Sequence, residues 1–280
     1  MSNNIFFERG QMADKPNNYL WNGDCLELMK DIPDKSMDAI ICDLPYGTTA
    51  CKWDSVIPFE TLWEQYKRII KDNGAIVLFG SEPFSTYLRI SNIKWYKYDW
   101  IWEKNIPTNF YMAKKMPMRI YEKISVFYNS QPIYNPIKEH RSYKSKDRLR
   151  YKHVSNNKTK NTVYGDIKRY YESKDKEMRT ATDIIKINVE RRNTGEAGKH
   201  PTQKPLELLK YLVKTYTNEN DWVLDNTCGS NTTGIACYDL NRNYIGIEKD
   251  IDIYNVAKER VEKNILLRAN EQQTLFKDKP

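Results

Sequence analysis

The sequence predicts an α/β protein built on a doubly wound sheet, with a basic segment inserted into it. Short continuous apolar runs, such as Ala39–Cys42, Ala75–Phe79 and Tyr244–Ile247, have the character of strands buried on both faces of a parallel sheet. Stretches with helical spacing of apolar residues lie between them, and strands alternating with helices imply crossover connections. The charge is gathered in one place. Residues 138–192 hold 17 Lys and Arg against 8 Asp and Glu, a net of +9 in a chain of net +8, so the remainder is close to neutral.

Taken in order, Tyr19–Trp21 is a short strand that leads through Asn22-Gly23-Asp24-Cys25 into a short helix over 26–30. Ala39–Cys42 ends at Asp43-Leu44-Pro45-Tyr46-Gly47, where proline and glycine forbid further strand. Phe59, Leu62, Trp63, Tyr66, Ile69 and Ile70 predict a helix over 58–71, and Asn73-Gly74 is its expected stop. Ala75–Phe79 is another buried strand, and 100–102 and 124–128 are two further strand candidates. Past about residue 130 the apolar periodicity fades, and Tyr143, Tyr151, Tyr164, Tyr170 and Tyr171 accompany the cations. Such a segment reads either as a solvated, partly disordered insertion or as a nucleic-acid-binding lobe, in which cations hold phosphates and aromatics stack. Regular structure resumes at His200-Pro201-Thr202-Gln203-Lys204-Pro205, with an amphipathic helix over 206–216 and a buried strand at 222–224. A small-residue turn from Asp225 to Gly234 follows, then a helix over 233–240 and the strand 244–247, which ends in Glu248. A last helix runs from Ile251 to about Leu267, with a frayed tail.

Hydrophobic residues make up 40% of the 280, enough for a core, and the pI near 9.0 favours an anionic partner. The five cysteines form no C-x-x-C pair. Their odd number and the polar first twenty residues point to reduced thiols and a cytoplasmic setting. No apolar run approaches the roughly 20 residues of a membrane span. His140, His153 and His200 stand far from any cysteine pair, which argues against zinc.

Two features bear on a nucleotide-like cofactor. Small residues after the strand at 222–224 let a ligand approach the backbone. Glu248, at the end of the next strand, stands where a carboxylate holds a ribose diol. The loop reads Gly229-Ser230-Asn231 and lacks the second glycine of a pyrophosphate cradle, and Gly195 and Gly198-Lys199 do not have P-loop spacing. A cofactor with a ribose but no phosphates fits better, S-adenosylmethionine being the commonest; an ordinary tight turn is the competing reading. A third feature, Asp43-Leu44-Pro45-Tyr46, follows a buried strand and so lies at the carboxyl edge of the sheet. An aspartate and a backbone carbonyl that accept both N–H bonds of an exocyclic amine would free its lone pair to attack a sulfonium methyl. Tyr46 offers a ring on which a flipped base stacks.

Together these segments resemble the amino-methylating DNA methyltransferases of the β class, in which the catalytic motif precedes the cofactor motif. Asp43-Leu44-Pro45-Tyr46 is similar to D-P-P-Y, His200–Pro205 to H-P-T-Q-K-P, Asp225–Gly234 to D-x-x-x-G-S-G-T-T-G, and Gly23-Asp24-Cys25-Leu26 to G-D-C-L. Arg119–Asn129 resembles K-x-x-E-x-I-x-x-F-Y, and Asp43–Thr49 with Lys52-Trp53-Asp54 is like methylases of phages and prophages, which implies a prokaryotic or phage-encoded enzyme. The likeness covers residues 19–130 and 199–262, and the basic segment falls where the family keeps its target-recognition domain.

The resemblance implies a Rossmann-like methyltransferase sheet in permuted order: a catalytic half at 1–130, a recognition insertion at 131–198 and a cofactor half at 199–280. It implies S-adenosylmethionine as cofactor and double-stranded DNA as partner, a homodimer being one expected assembly. Asp43, Pro45 and Tyr46 are the implied catalytic residues. Asp24 falls to the cofactor adenine, Glu248 to its ribose, and Lys204, Asp225, Thr227 and Gly229 to its methionine half, with Cys25 a further cofactor-binding residue. Arg148, Arg150, Arg191 and Arg192 are the cations expected on DNA. Asn231 replaces the last glycine of the cofactor loop and puts a side chain where backbone usually approaches, an expected weakening of cofactor binding. Asp43 in the first motif position resembles adenine-N6 enzymes, with cytosine-N4 as the nearest alternative. A catalytically weak DNA-binding relative and a dinucleotide-dependent oxidoreductase are the rivals of other classes, and RNA or protein glutamine methylation uses similar chemistry.

Overall fold

The computed structural model describes residues 17–47, 54–140, 178–189 and 203–277, with side chains described as far as 264. Two compact units emerge, one formed by Met1–Asn135 with Asp183–Pro280 and the other by Pro136–Thr182. In the second, β6 (Lys138–His140) pairs antiparallel with β7 (Met178–Thr180), and Arg179 meets Glu139 at 3.2 Å. Arg148, Arg150, Arg191 and Arg192 lie outside the described residues.

The first unit is an eight-stranded sheet in which the strands Asn18–Asn22 (β1), Asn243–Glu248 (β10), Trp222–Asp225 (β9), Met37–Cys42 (β2), Ile70–Gly80 (β3), Arg119–Phe127 (β5), Tyr96–Thr108 (β4) and Ile184–Lys186 (β8) lie side by side in that order. Five neighbours run parallel: β1 (Asn18–Asn22), β10 (Asn243–Glu248), β9 (Trp222–Asp225), β2 (Met37–Cys42) and β3 (Ile70–Gly80). Every residue of β2 is buried, as helices on both faces require of a central parallel strand. The crossover helices are α2 (Phe59–Ile69), between β2 and β3, and α5 (Thr232–Asp239), between β9 and β10. Helix α4 (Leu206–Tyr216) precedes β9, and its Leu208, Leu209, Leu212 and Val213 pack under the sheet with Ile41, Val77 and Val223. On the opposite face Tyr66 and Ile69 of α2 pack with Ile40, Leu78 and Leu224.

The chain leaves β9 toward β10 and leaves β2 toward β3, on opposite sides. The topological switch point therefore lies between β9 and β2, where open α/β sheets place their ligands.

Several elements depart from the sequence expectation. Helix α2 ends at Ile69, and Asn73-Gly74 lies inside β3 rather than capping the helix. A Cβ at Gly74 would come within 2.7 Å of the Ile70 side chain and 2.9 Å of the Asp38 carbonyl, so glycine serves close packing there. Strands β4 (Tyr96–Thr108) and β5 (Arg119–Phe127) form an antiparallel hairpin, with β5 antiparallel to β3, a reversal that alternation of elements does not announce. Strand β8 (Ile184–Lys186), within the segment read as insertion, pairs parallel with β4 of the main sheet. Two further helices are α1 (Cys25–Leu28) and α3 (Phe84–Ser91). The last, α6, runs Ile251–Lys277, about ten residues past the expected end.

Candidate functional site

Parallel strands deliver their carboxyl ends to one edge, and a cleft of 1570 Å³ opens there. Its wall holds all ten residues singled out in the motifs: Asp24 and Cys25 after β1, Asp43, Pro45 and Tyr46 after β2, Lys204 ahead of α4, Asp225, Thr227 and Gly229 after β9, and Glu248 ending β10. Residues up to 224 positions apart in sequence thus share one surface.

At the switch point the two motif loops are tied together. Thr227 donates its hydroxyl to the Asp43 carbonyl at 3.1 Å, and Tyr66 donates to Asn226 Oδ1 at 2.5 Å beneath the sheet edge. Asp43 is held by two donors, Tyr46 OH to Oδ1 and Lys204 Nζ to Oδ2, each at 2.6 Å. Carboxylate oxygens carry two acceptor sites each, so both keep capacity for a further donor. The Tyr46 ring tilts against Phe84 at 4.9 Å.

Lys204 is also 3.2 Å from Glu122 Oε2, within ion-pairing distance but off the hydrogen-bonding direction, and Lys104 closes on the other Glu122 oxygen. Burial alone would lower the Lys204 pKa, but the Asp43 and Glu122 carboxylates outweigh it and hold the ammonium above the usual lysine value. Burial likewise acts to raise Glu122, which Lys204 and Lys104 pull below the ordinary value. The sequence reading gave Glu122 and Lys104 no role. Glu122 stood in the quoted segment 119–129, but only the fold shows that it faces Lys204.

The part of the cleft wall formed after β1, β9 and β10 is acidic. Burial pushes the Asp225 carboxyl up to about 7, with the Asp43 charge adding, although Asp225 accepts from Thr233 Oγ1 at 2.6 Å and Thr227 N at 3.2 Å. Glu248 is raised by burial too, while its two oxygens accept from Asp250 N at 2.9 Å and Gly229 N at 3.0 Å. Asp24 caps α1 by accepting from Leu26 N at 2.9 Å and meets Lys249 at 3.1 Å; burial acts to raise it, but these partners hold it below the usual carboxylate range.

Gly229 has φ +52°, and a Cβ there would meet nothing within 4 Å, so its backbone faces open cleft. Asn231 adopts a left-handed conformation, φ 61° and ψ 40°, which Asn tolerates better than other side-chain-bearing residues. Its buried side chain packs under Gly234, where a Cβ would collide with it at 2.4 Å, and it is not part of the cleft wall. The steric ground for expecting weaker cofactor binding is therefore absent.

The donor set suits S-adenosylmethionine. Three carboxylates suit a diol and cationic groups and would repel a pyrophosphate, while Gln203, on the wall, has an Nε2 donor with no hydrogen-bond partner among the described residues, a match for a ligand carboxylate.

A family profile described as DNA methylase, of the N6/N4 methyltransferases, matches residues 37–259. The chain belongs to this family. It is an amino-directed DNA methyltransferase. Among its relatives, the type II methyltransferase M2.MboI of Moraxella bovis is 28% identical over 275 residues, 89% of each chain. The type II methyltransferase M.HinfI of Haemophilus influenzae is 29% identical over 274 residues, 87% of this chain and 68% of that one. Among solved structures, the M1.HpyAVI–SAM complex superposes with a TM-score of 0.56 at 25% identity, over 86% of this chain and 98% of that one. The PvuII cytosine-N4-specific DNA methyltransferase gives 0.61 at 14% identity, over 89% of each, a likeness of fold.

Proposed function

We propose that this DNA methyltransferase uses S-adenosylmethionine to methylate N6 of an adenine turned out of the duplex, with Asp43, Pro45 and Tyr46 as its catalytic residues. The observation that carries the reading is the meeting of the Asp43 turn with the acidic cofactor-side wall in one cleft. When bound, S-adenosylmethionine supplies an electrophilic methyl group on a sulfonium. Asp24 and Cys25 would border its adenine, Glu248 its ribose, and Asp225, Thr227, Gly229 and Lys204 its methionine half.

The chain's own groups prepare the amine. The exocyclic nitrogen of adenine is a poor nucleophile because its lone pair is delocalised into the ring. A free acceptor site on Asp43, with a backbone carbonyl of the same turn, takes its two N–H bonds and draws the lone pair out of the ring. Lys204 and Tyr46 fix the Asp43 carboxylate in orientation, and Pro45 stiffens the turn that carries it. Tyr46 offers its ring to the extruded base, and extrusion is required because the target nitrogen is out of reach in a stacked duplex. The proton lost by the methylated amine passes to the Asp43 side of the cleft and on to solvent.

The basic segment 131–198 serves as the recognition lobe, with Arg148, Arg150, Arg191 and Arg192 on phosphates, and a homodimer is an assembly compatible with this arrangement. The test is transfer of label from tritiated S-adenosylmethionine to unmethylated duplex DNA, followed by modified-base sequencing. Label on adenine N6 supports the reading, and label on cytosine N4 replaces it. Asp43→Ala is expected to lower the rate about 10²- to 10⁴-fold with cofactor affinity retained in calorimetry; near-full activity would falsify the assignment.

A further inference from the structure

The hairpin formed by β4 and β5 extends past the sheet, and its end carries a composition that folding does not explain. Between Asn105 and Tyr121 there is no acidic residue, while Lys114, Lys115 and Arg119 are cationic. No carboxylate pairs with these three among the described residues. In the same stretch Phe110 is 69% and Tyr111 83% exposed, and Met116, Met118 and Ile120 are also exposed. Several large apolar side chains exposed together on one hairpin end mark a surface that meets a partner.

The position of this surface says what the partner is. Tyr111, Arg119 and Tyr121 line the same cleft as Asp43 and Tyr46. The hairpin therefore forms the rim across which a duplex must lie if one of its bases is to reach the Asp43 turn. Turning a base out leaves a gap in the stack, and apolar or aromatic wedges fill such gaps while cations nearby take the phosphates.

We propose that the hairpin end, residues 106–121, is a second DNA-docking surface, separate from the basic insertion. Lys114 and Lys115 contact phosphates, and Phe110 and Tyr111 pack against the bases exposed by extrusion. This rests on the proposed function, whose failure shows separately: it would appear as no methyl transfer by the wild-type protein.

Two full-length variants test it, Lys114→Ala/Lys115→Ala and Phe110→Ala/Tyr111→Ala, with thermal melting as the folding control. All four side chains are exposed, so melting points near wild type are expected. In a salt titration of binding to sheared unmethylated duplex DNA, the lysine variant should flatten the log–log slope by about 1.8, from roughly 0.9 per phosphate contact. For the aromatic variant, a duplex carries 2-aminopurine at the target of a site mapped by modified-base sequencing. Its fluorescence rise on binding should fall, and affinity should drop about 5- to 150-fold, the loss of one stacked base. A mismatch at the target base, which weakens the stack beforehand, should recover part of that affinity. Wild-type slope and wild-type fluorescence in both variants overturn the proposal. So does a result in which the variants dissociate a dimer in sedimentation while DNA binding per protomer is unchanged, since the surface then belongs to a second copy of the chain.

Discussion

Replacing Lys204 by methionine isolates the charge cluster at the centre of the cleft. Methionine matches the lysine stem up to Cε and keeps an unbranched side chain beside the Phe79 ring, which lies 5.2 Å from the ammonium, but the charge between Asp43 and Glu122 is gone. Lys204 is 12% exposed, Glu122 17% and Asp43 30%, so the carboxylates it leaves are poorly solvated. Removing one partner of such a buried pair costs about 3–5 kcal/mol, or roughly 6–20 °C in melting temperature at the 2–4 °C per kcal/mol usual for larger domains. The pH window follows from the direction of each shift. Lys204 is raised above its ordinary 10.5, so its contribution is complete below about 10.5 and is lost only as pH rises through the folded value. Glu122 is lowered from its ordinary 4.5, so its contribution is present above about 4.5 and is lost as pH falls through the folded value. Between these limits the wild-type cluster is fully charged. Melting without cofactor, from pH 3 to 9, should show the deficit of Lys204→Met in full above about pH 5 and a narrowing deficit below it, because without Lys204 the Glu122 carboxyl protonates more readily while the wild type loses its ion pair. Lys204→Met/Glu122→Gln should be less destabilised than the two single changes added together, because the second removes a stranded charge. A single variant that melts within about 1 °C of wild type, or strict additivity in the pair, refutes the reasoning.

Three further outcomes concern the cofactor side. Glu248→Ala should lose about 1.5–3 kcal/mol of S-adenosylmethionine binding in calorimetry, as for hydrogen bonds to a charged group; unchanged affinity in a folded variant removes the ribose contact. Asp225, raised to about 7, should release a proton when the cationic methionine half binds, so affinity should tighten as pH rises from 6 to 8. Asp225→Asn should flatten that dependence, and a wild-type affinity independent of pH counts against it. Asn231→Gly should leave cofactor affinity unchanged, because the Asn231 side chain is under Gly234 and off the cleft wall; a marked gain in affinity would show that this side chain does obstruct the ligand.

Local pattern was enough for the elements whose physics is local. The apolar runs at 39–42, 75–79 and 244–247 have little choice but to be buried strands, and the spacing in 206–216 determines α4 to the residue. Asp43, Tyr46 and Glu248 could be named because each stands at or directly after the end of a buried strand, a placement written in neighbouring residues, whereas Asp24, Cys25, Lys204, Asp225, Thr227 and Gly229 were named through the resemblance of their motifs. What depended on distant partners was not legible. Asn73-Gly74 has the form of a helix stop, yet the close approach of Ile70 and the Asp38 carbonyl draws Gly74 into β3. The antiparallel entry of β5 beside β3 comes from backbone pairing across 43 to 51 residues, and the capture of β8 by β4 from pairing across 83. Asn231 looked like an obstruction in the linear motif, but a left-handed backbone turns its side chain into the core. The same holds for the charge cluster. No spacing rule connects Lys104, Glu122 and Lys204 with Asp43, and only the folded sheet brings two ammoniums and two carboxylates close enough for burial and Coulomb attraction to set their ionisation.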